Sequence, residues 1–131
     1  MNRIINVSFE IEDSYAIGTF RNFIKLLLSD DKFNVFIISN NDTAAEITAV
    51  GNSLGLPSSN VIICNFTEDK IQAITDNAID IHFDNLQSFV LLVEETTDAY
   101  GILVTANYNK FYLKPDFVLV FEKNVKLIES E

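Results

Sequence analysis

Short apolar runs alternate along the chain with longer segments whose apolar residues fall on one helical face. Ile4 to Phe9 predicts a first strand, apolar on both sides apart from Asn6 and Ser8. From about Ile17 to Leu28, the residues Phe20, Phe23, Ile24, Leu27 and Leu28 recur at 3–1–3–1 spacing, the stripe of an amphipathic helix. Asn34 to Ile38 predicts a second strand. Thr43-Ala44-Ala45-Glu46 has the Thr-x-x-Glu form of a capping box and opens a helix to about Leu54. Gly55 then offers a left-handed cap, with Pro57 just beyond it. Val61 to Cys64 is a wholly apolar third strand, so burial on both faces is expected. Thr67 precedes a helix carrying Ile71, Ala73, Ile74 and Ala78. Ile79 to Phe83, Gly101 to Val104 and Phe117 to Phe121 predict three further strands, with a helix from Leu86 to about Thr96 between the first two.

Such alternation implies right-handed crossovers and a mainly parallel sheet with helices on both faces. The fold class is therefore α/β, a Rossmann-like, doubly wound three-layer sandwich, with residues 1–131 as one domain. Ligands of such sheets sit beyond the carboxyl ends of the strands. Attention falls on Glu10 to Ser14, Ser39 to Asp42, Asn65 to Lys70, Asp84 to Asn85, and the segment after Val104.

Composition narrows the function. Nine Lys plus Arg against nineteen Asp plus Glu leave a net charge of −10, which repels phosphate backbones and anionic membranes. Neither a nucleic acid nor a membrane is an expected partner. A hydrophobic share of 48% is enough for a packed core, yet the longest apolar runs, such as Phe89 to Val93, are too short to span a bilayer. Asn6, Ser8 and Glu10 interrupt the early apolar stretch, which argues against a secretory leader. A lone cysteine, Cys64, excludes an internal disulfide framework and a Cys-rich zinc site. A reducing cytoplasm is the expected setting.

The strand ends carry the chemistry. Phe9-Glu10-Ile11-Glu12-Asp13-Ser14 sets three carboxylates in four positions, and Glu10 and Glu12 are spaced to share a side. Ile38-Ser39-Asn40-Asn41 offers a hydroxyl before a helix start, where free amides favour an anion. Asp84-Asn85 follows Ile81-His82-Phe83, and Lys70 opens a helix bordering the same crevice. Carboxylates, a hydroxyl and a lysine at one sheet edge suit a divalent metal with a phosphate.

In their order and strand context, these segments resemble the four motifs of the haloacid dehalogenase superfamily, over roughly Ile4 to Val104. In that family's phosphatases the first motif is Asp-x-Asp-x-Thr. Its first Asp attacks phosphorus and its second is the general acid and base. A Ser or Thr and a Lys hold the phosphoryl oxygens, and an acidic pair holds magnesium with the first Asp and the carbonyl of the second. Carried over, the resemblance gives Ser39 and Lys70 the phosphate-holding roles and Asp84 the first metal acid. Glu10 stands at the nucleophile, Glu12 at the acid/base, Ser14 at the Thr, and Asn85 at the second acid.

These departures fall on the chemistry. Each Glu moves its carboxylate outward by on the order of 1 Å, and such misplacement can cost ~10²-fold in rate. Asn85 removes a charge from the metal shell formed by Glu10, Glu12, Asp84 and Asn85. The resemblance thus implies an eroded magnesium-dependent phosphatase, weakly active or inactive, with at most weak magnesium binding. The alternative is a non-catalytic relative that uses the same face for a phosphate-bearing ligand or another protein. The intervals from Ser14 to Ser39 and from Ser39 to Lys70, where the family inserts cap domains, have room only for core elements. A capless protein with an open site follows. Tyr100, Tyr108, Phe111 and Tyr112 read as partly core, with Asn107 to Lys114 bordering that site. A receiver-like or flavodoxin-like domain is a more remote option.

Plainer roles stand beside these. Asp13 can cap a helix or solvate a turn, Ser39 and Asn41 can be helix-entry residues, and Lys70 can be a solvated lysine. A lone strand histidine, His82, reads as structural, and Cys64 as a small core residue.

Overall fold

A computed structural model describes residues 3–11, 18–40 and 44–104. Strands and helices alternate through them: β1 (Ile5–Phe9), α1 (Gly18–Leu28), β2 (Phe33–Asn40), α2 (Ala44–Leu54), β3 (Val61–Cys64), α3 (Thr67–Asp76), β4 (Ile81–Asp84), α4 (Gln87–Thr96) and β5 (Tyr100–Leu103). Glu12, Asp13, Ser14, Asn41, the Thr43 cap, the sixth strand at Phe117 to Phe121 and the segment Asn107 to Lys114 lie outside the described residues, as do Tyr108, Phe111 and Tyr112.

The five strands are all parallel, in the order β3-β2-β1-β4-β5. From β1 the chain steps outward through β2 to β3, then crosses back to β4 and continues to β5. The reversal lies between β1 and β4, the switch point where sheets of this Rossmann-like order open a crevice. Flavodoxin and receiver folds use the order 2-1-3-4-5 instead, so this sheet does not have the receiver arrangement.

Period-two alternation divides the strand residues between two cores. Ile5, Val7, Phe9, Val35, Ile37, Ile81 and Phe83 pack with Phe20, Phe23 and Ile24 of α1 and Ile47 of α2. The Phe20 ring lies 6.0 Å from that of Phe9 and 5.4 Å from that of Phe83, tying α1 across β1 and β4. Burying a side chain of this size contributes ~1.5–3 kcal/mol. On the opposite face Phe36, Ile38 and Cys64 pack with Ala73 and Ile74 of α3 and Phe89 and Val93 of α4. Cys64 is accordingly a core residue.

Two helix ends use the same backbone device. After α2, Gly55 takes a φ of 71°, its N–H donating to Asn52 O at 3.1 Å while Leu56 N–H donates to Gly51 O at 3.0 Å. This Schellman pattern satisfies carbonyls that the last turn leaves open. After α3 the equivalent position is Ala78, with a φ of 50°, Ala78 N–H donating to Thr75 O and Ile79 N–H to Ile74 O. Glycine adopts this conformation without steric cost and alanine does not.

Three sequence expectations need correction. β3 is not buried on both faces: among the described residues it pairs with β2, and Ile63 is 41% exposed. An apolar run records β propensity but not the number of neighbours. β2 extends through Asn40, which places Ser39 within the ladder opposite Ile63 rather than in a helix-entry loop. Tyr100 is 42% exposed on β5 rather than partly core.

Candidate functional site

Strand order brings the carboxyl ends of β1 and β4 side by side. Glu10 N–H donates to Phe83 O at 2.9 Å, extending the ladder one residue past β1, and Val104 N–H donates to Asp84 O at 2.8 Å. Ser8 lies opposite His82 in the register. Since alternate residues share a face, Ser8 and Glu10 on one chain, and His82 and Asp84 on the next, all point toward α3 and α4.

Lys70, in the first turn of α3, reaches into this row. Its Nζ donates to Glu10 Oε1 and to Asp84 Oδ2, each at 2.9 Å. The same ammonium lies 4.2 Å from the centroid of the Phe89 ring of α4, a cation–π contact. Glu10, Lys70 and Asp84 are all at most 2% exposed. Lys70 is therefore not a solvated lysine. Glu10 Oε2 accepts the Ile11 N–H at 2.9 Å, and Ser39 Oγ accepts the same N–H at 3.4 Å. Asp84 Oδ1 accepts the Leu86 N–H at 3.1 Å, an Asx-type turn that leads the chain into α4.

Behind Asp84 the row continues inward. His82 Nε2 lies 2.8 Å from Asp84 Oδ2, and His82 Nδ1 lies 2.7 Å from Ser8 Oγ. Ser8, His82 and Asp84 have no exposed surface. The sequence reading left Ser8 unassigned and gave His82 a structural role. A signal was present in the His-x-Asp spacing, which puts both side chains on one strand face.

Electrostatics follow from this burial. Desolvation pushes the Glu10 carboxyl above its usual range, against the pull of Lys70. Burial opposes the Lys70 charge, but the Asp84 and Glu10 carboxylates outweigh it and hold the ammonium pKa above its ordinary value. Burial presses the His82 imidazole below its ordinary value despite the Asp84 hydrogen bond. For Asp84 burial again favours the neutral form, yet the His82 hydrogen bond and the Lys70 charge hold its carboxyl below the usual range. At neutral pH, Asp84 is the ionised partner of Lys70, and Glu10 is the carboxyl readier to take a proton.

Four of the six candidate positions thus meet in space: Glu10, Ser39, Lys70 and Asp84. Asn85 follows Asp84 directly at the end of β4, and Glu12 lies outside the described residues. In kind, carboxylate oxygens suit magnesium. In placement, Lys70 Nζ already touches one oxygen of each carboxylate. Among the described residues no three His, Cys, Asp or Glu side chains converge on a point an ion could fill. The described donors therefore do not by themselves fit magnesium.

A cavity of about 220 Å³ opens beside the cluster, lined by Asn40, Thr67, Lys70, Leu86, Ser88, Phe89 and Leu92. A larger one of about 380 Å³ lies at the other end of α3 and α4, among Ala78, Asp80, Thr97 and Asp98, away from the buried ion pairs. The smaller cavity is the one that borders the chemistry. No helix among the described residues is long and apolar enough to cross a membrane. No protein-family model and no curated protein matches the sequence.

Proposed function

We propose that this chain is a capless relative of the haloacid dehalogenase phosphatases whose active site has eroded, leaving phosphohydrolase activity weak or absent. One observation carries the reading: the Glu10 carboxylate, at the nucleophile position, is buried with both oxygens engaged, one by Lys70 and one by the Ile11 amide. A nucleophile must offer a lone pair toward phosphorus in line with the leaving group, and burial with a hydrogen bond on each oxygen restricts the directions in which Glu10 can offer one. Charge supports the same conclusion. With both carboxylates ionised, Glu10, Asp84 and Lys70 leave a surplus of negative charge, which opposes an incoming phosphate. Ser39 accepts the Ile11 N–H within the sheet, so its hydroxyl helps fix the strand end. Magnesium, when bound in such a site, neutralises phosphoryl charge; here it would have to part Lys70 from its carboxylates, so binding is weak.

The test compares the wild-type chain with a variant carrying Glu10→Asp, Glu12→Asp and Asn85→Asp, assayed with magnesium and an aryl phosphate. Wild-type turnover is expected below the ordinary enzymatic range of ~1–10³ s⁻¹, and a rate within it overturns the proposal. Groups acting as a unit are strongly non-additive, so single reversions do little and the triple change gains activity that Lys70→Ala removes. A triple variant that folds and binds magnesium yet releases no phosphate favours the alternative, a binding face for a phosphate-bearing ligand or a protein. Exposed Phe66 and Leu86, at the amino-terminal ends of α3 and α4, give that second reading its footing.

A further inference from the structure

The buried row has a member that the proposed chemistry does not use. His82 lies entirely inside the protein, between Ser8 Oγ at 2.7 Å and Asp84 Oδ2 at 2.8 Å. Its ring meets the Phe89 ring edge-on at 5.5 Å, and Phe89 also carries the Lys70 ammonium. Asp84 Oδ2 takes donors from two sides, Lys70 and His82, while Oδ1 takes the Leu86 amide. An ionised carboxylate accepts only, so the imidazole nitrogen facing it must carry the proton. Burial keeps His82 neutral, so the other nitrogen accepts, and a serine hydroxyl is free to rotate and donate.

From this geometry we infer that His82 is the positioning residue of the site: as the Nε2–H tautomer set by Asp84, with Nδ1 accepting from Ser8, it fixes the rotation of the Asp84 carboxylate, presenting Oδ2 to Lys70. The inference deepens the proposed function and rests on it for the identity of the site, but not for the hydrogen-bond chain itself. His82 touches no reacting atom, and its effect passes through Asp84. Phe89 packs against both donors, His82 in a T-shaped contact and Lys70 over its face. Such outer partners commonly set the orientation of ligating or reacting carboxylates.

The chain has one histidine, so nitrogen NMR of the whole protein labelled with ¹⁵N-histidine reads His82 alone. At neutral pH a single Nε2–H tautomer is expected, with a proton slow to exchange. An Nδ1–H tautomer or a rapidly averaging mixture overturns the inference. Ser8→Ala should keep the Nε2–H form, because Asp84 still claims that proton, whereas Asp84→Ala should release it into a mixture. The reverse pattern assigns control to Ser8 and also overturns it. If Asp84→Ala does not fold, the wild-type and Ser8→Ala spectra decide alone. Adding magnesium, then inorganic phosphate, to the wild-type protein separates this inference from the functional reading. A shifted Nε2 signal supports His82 acting on a ligand site through Asp84. An unmoved signal with the single tautomer intact supports the positioning of Asp84 and removes the ligand from the proposed function.

Discussion

The two ends of the sheet solve one problem, polar side chains under cover, in opposite ways. At the amino-terminal end, Asn60 Nδ2 donates to Asn34 Oδ1 at 2.8 Å and to Val35 O at 2.9 Å. Asn34 Nδ2 then donates to Asn6 Oδ1 at 3.2 Å, and Asn6 Nδ2 to Ala78 O at 3.0 Å. That chain of side-chain amides runs from the residue before β3 across β2 to β1, and beside it the Asp80 carboxylate, paired with Arg3, accepts the Asn6 N–H at 2.9 Å. At the carboxyl end, Glu10, Lys70 and Asp84 bury formal charges whose desolvation an ion pair only partly offsets. Neutral amides tie strands together at one end, whereas the other end does so with buried charges that link β1, β4 and α3. Costly groups gathered at a switch point are what the proposed functional site rests on.

Removing one charge should break the carboxyl end first. Lys70→Met leaves two buried carboxylates without their cation, and a loss of ~3–5 kcal/mol is expected in urea unfolding at neutral pH. The deficit should shrink on acidification as Glu10 takes up a proton. A loss under ~1 kcal/mol would mean that the ion pairs do not exist in solution. At the other end, Asn60→Ala removes two hydrogen bonds from a neutral chain and should cost ~1–3 kcal/mol. That cost should not vary with pH, and a pH-dependent deficit would erase the contrast.

Acidification sharpens the comparison further. His82 is held below its ordinary value of 6.5, so the unfolded chain takes a proton that the native one refuses, and stability falls as pH drops below 6.5. Glu10 is held above its ordinary 4.5, so its contribution has the opposite sign, gained as pH falls and lost as pH rises past 4.5. Asp84, held below 3.8, contributes fully above that value and loses its contribution as pH falls further. Between pH 6.5 and 4.5, His82 and Glu10 therefore oppose each other. His82→Gln should remove the first effect, and in the window between pH 6.5 and 4.5 the Asp84 contribution is already complete. Its stability relative to wild type should rise on acidification by up to ~1.4 kcal/mol per pH unit. Parallel pH profiles for the two proteins would exclude a buried neutral His82.

The smallest effect lies at the amino-terminal end. Ala78 holds a φ of 50° where Gly55 holds 71° in the same helix-ending pattern. A left-handed conformation costs a non-glycine residue ~1–2 kcal/mol, and glycine's extra freedom when unfolded returns ~0.4–1 kcal/mol of that. Ala78→Gly should therefore stabilise by about 0.5–1 kcal/mol in thermal or urea unfolding. A destabilised variant would show that Ala78 makes packing contacts that outweigh its backbone strain.

Much of the framework was legible in the chain. Period-two and helical spacing located β1, α1, β3 and α4 to within a residue or two, because that spacing is a local property of the backbone. Gly55 was readable as a helix end for the same reason. Glu10, Ser39 and Asp84 could be singled out because each stands at the end of an apolar run, and Lys70 by its place in the order of the resembled motifs. The exposure of Ile63 on β3, the inward reach of Lys70 and the pairing of Ser8 with His82 were not readable. Lys70 and Glu10 are 60 residues apart, and Ser8 and His82 are 74 apart. Periodicity states which side of a strand a residue takes, but strand order and register decide which distant side chain it meets there. Burial of that meeting place then sets the charge each group carries, and no local pattern encodes it.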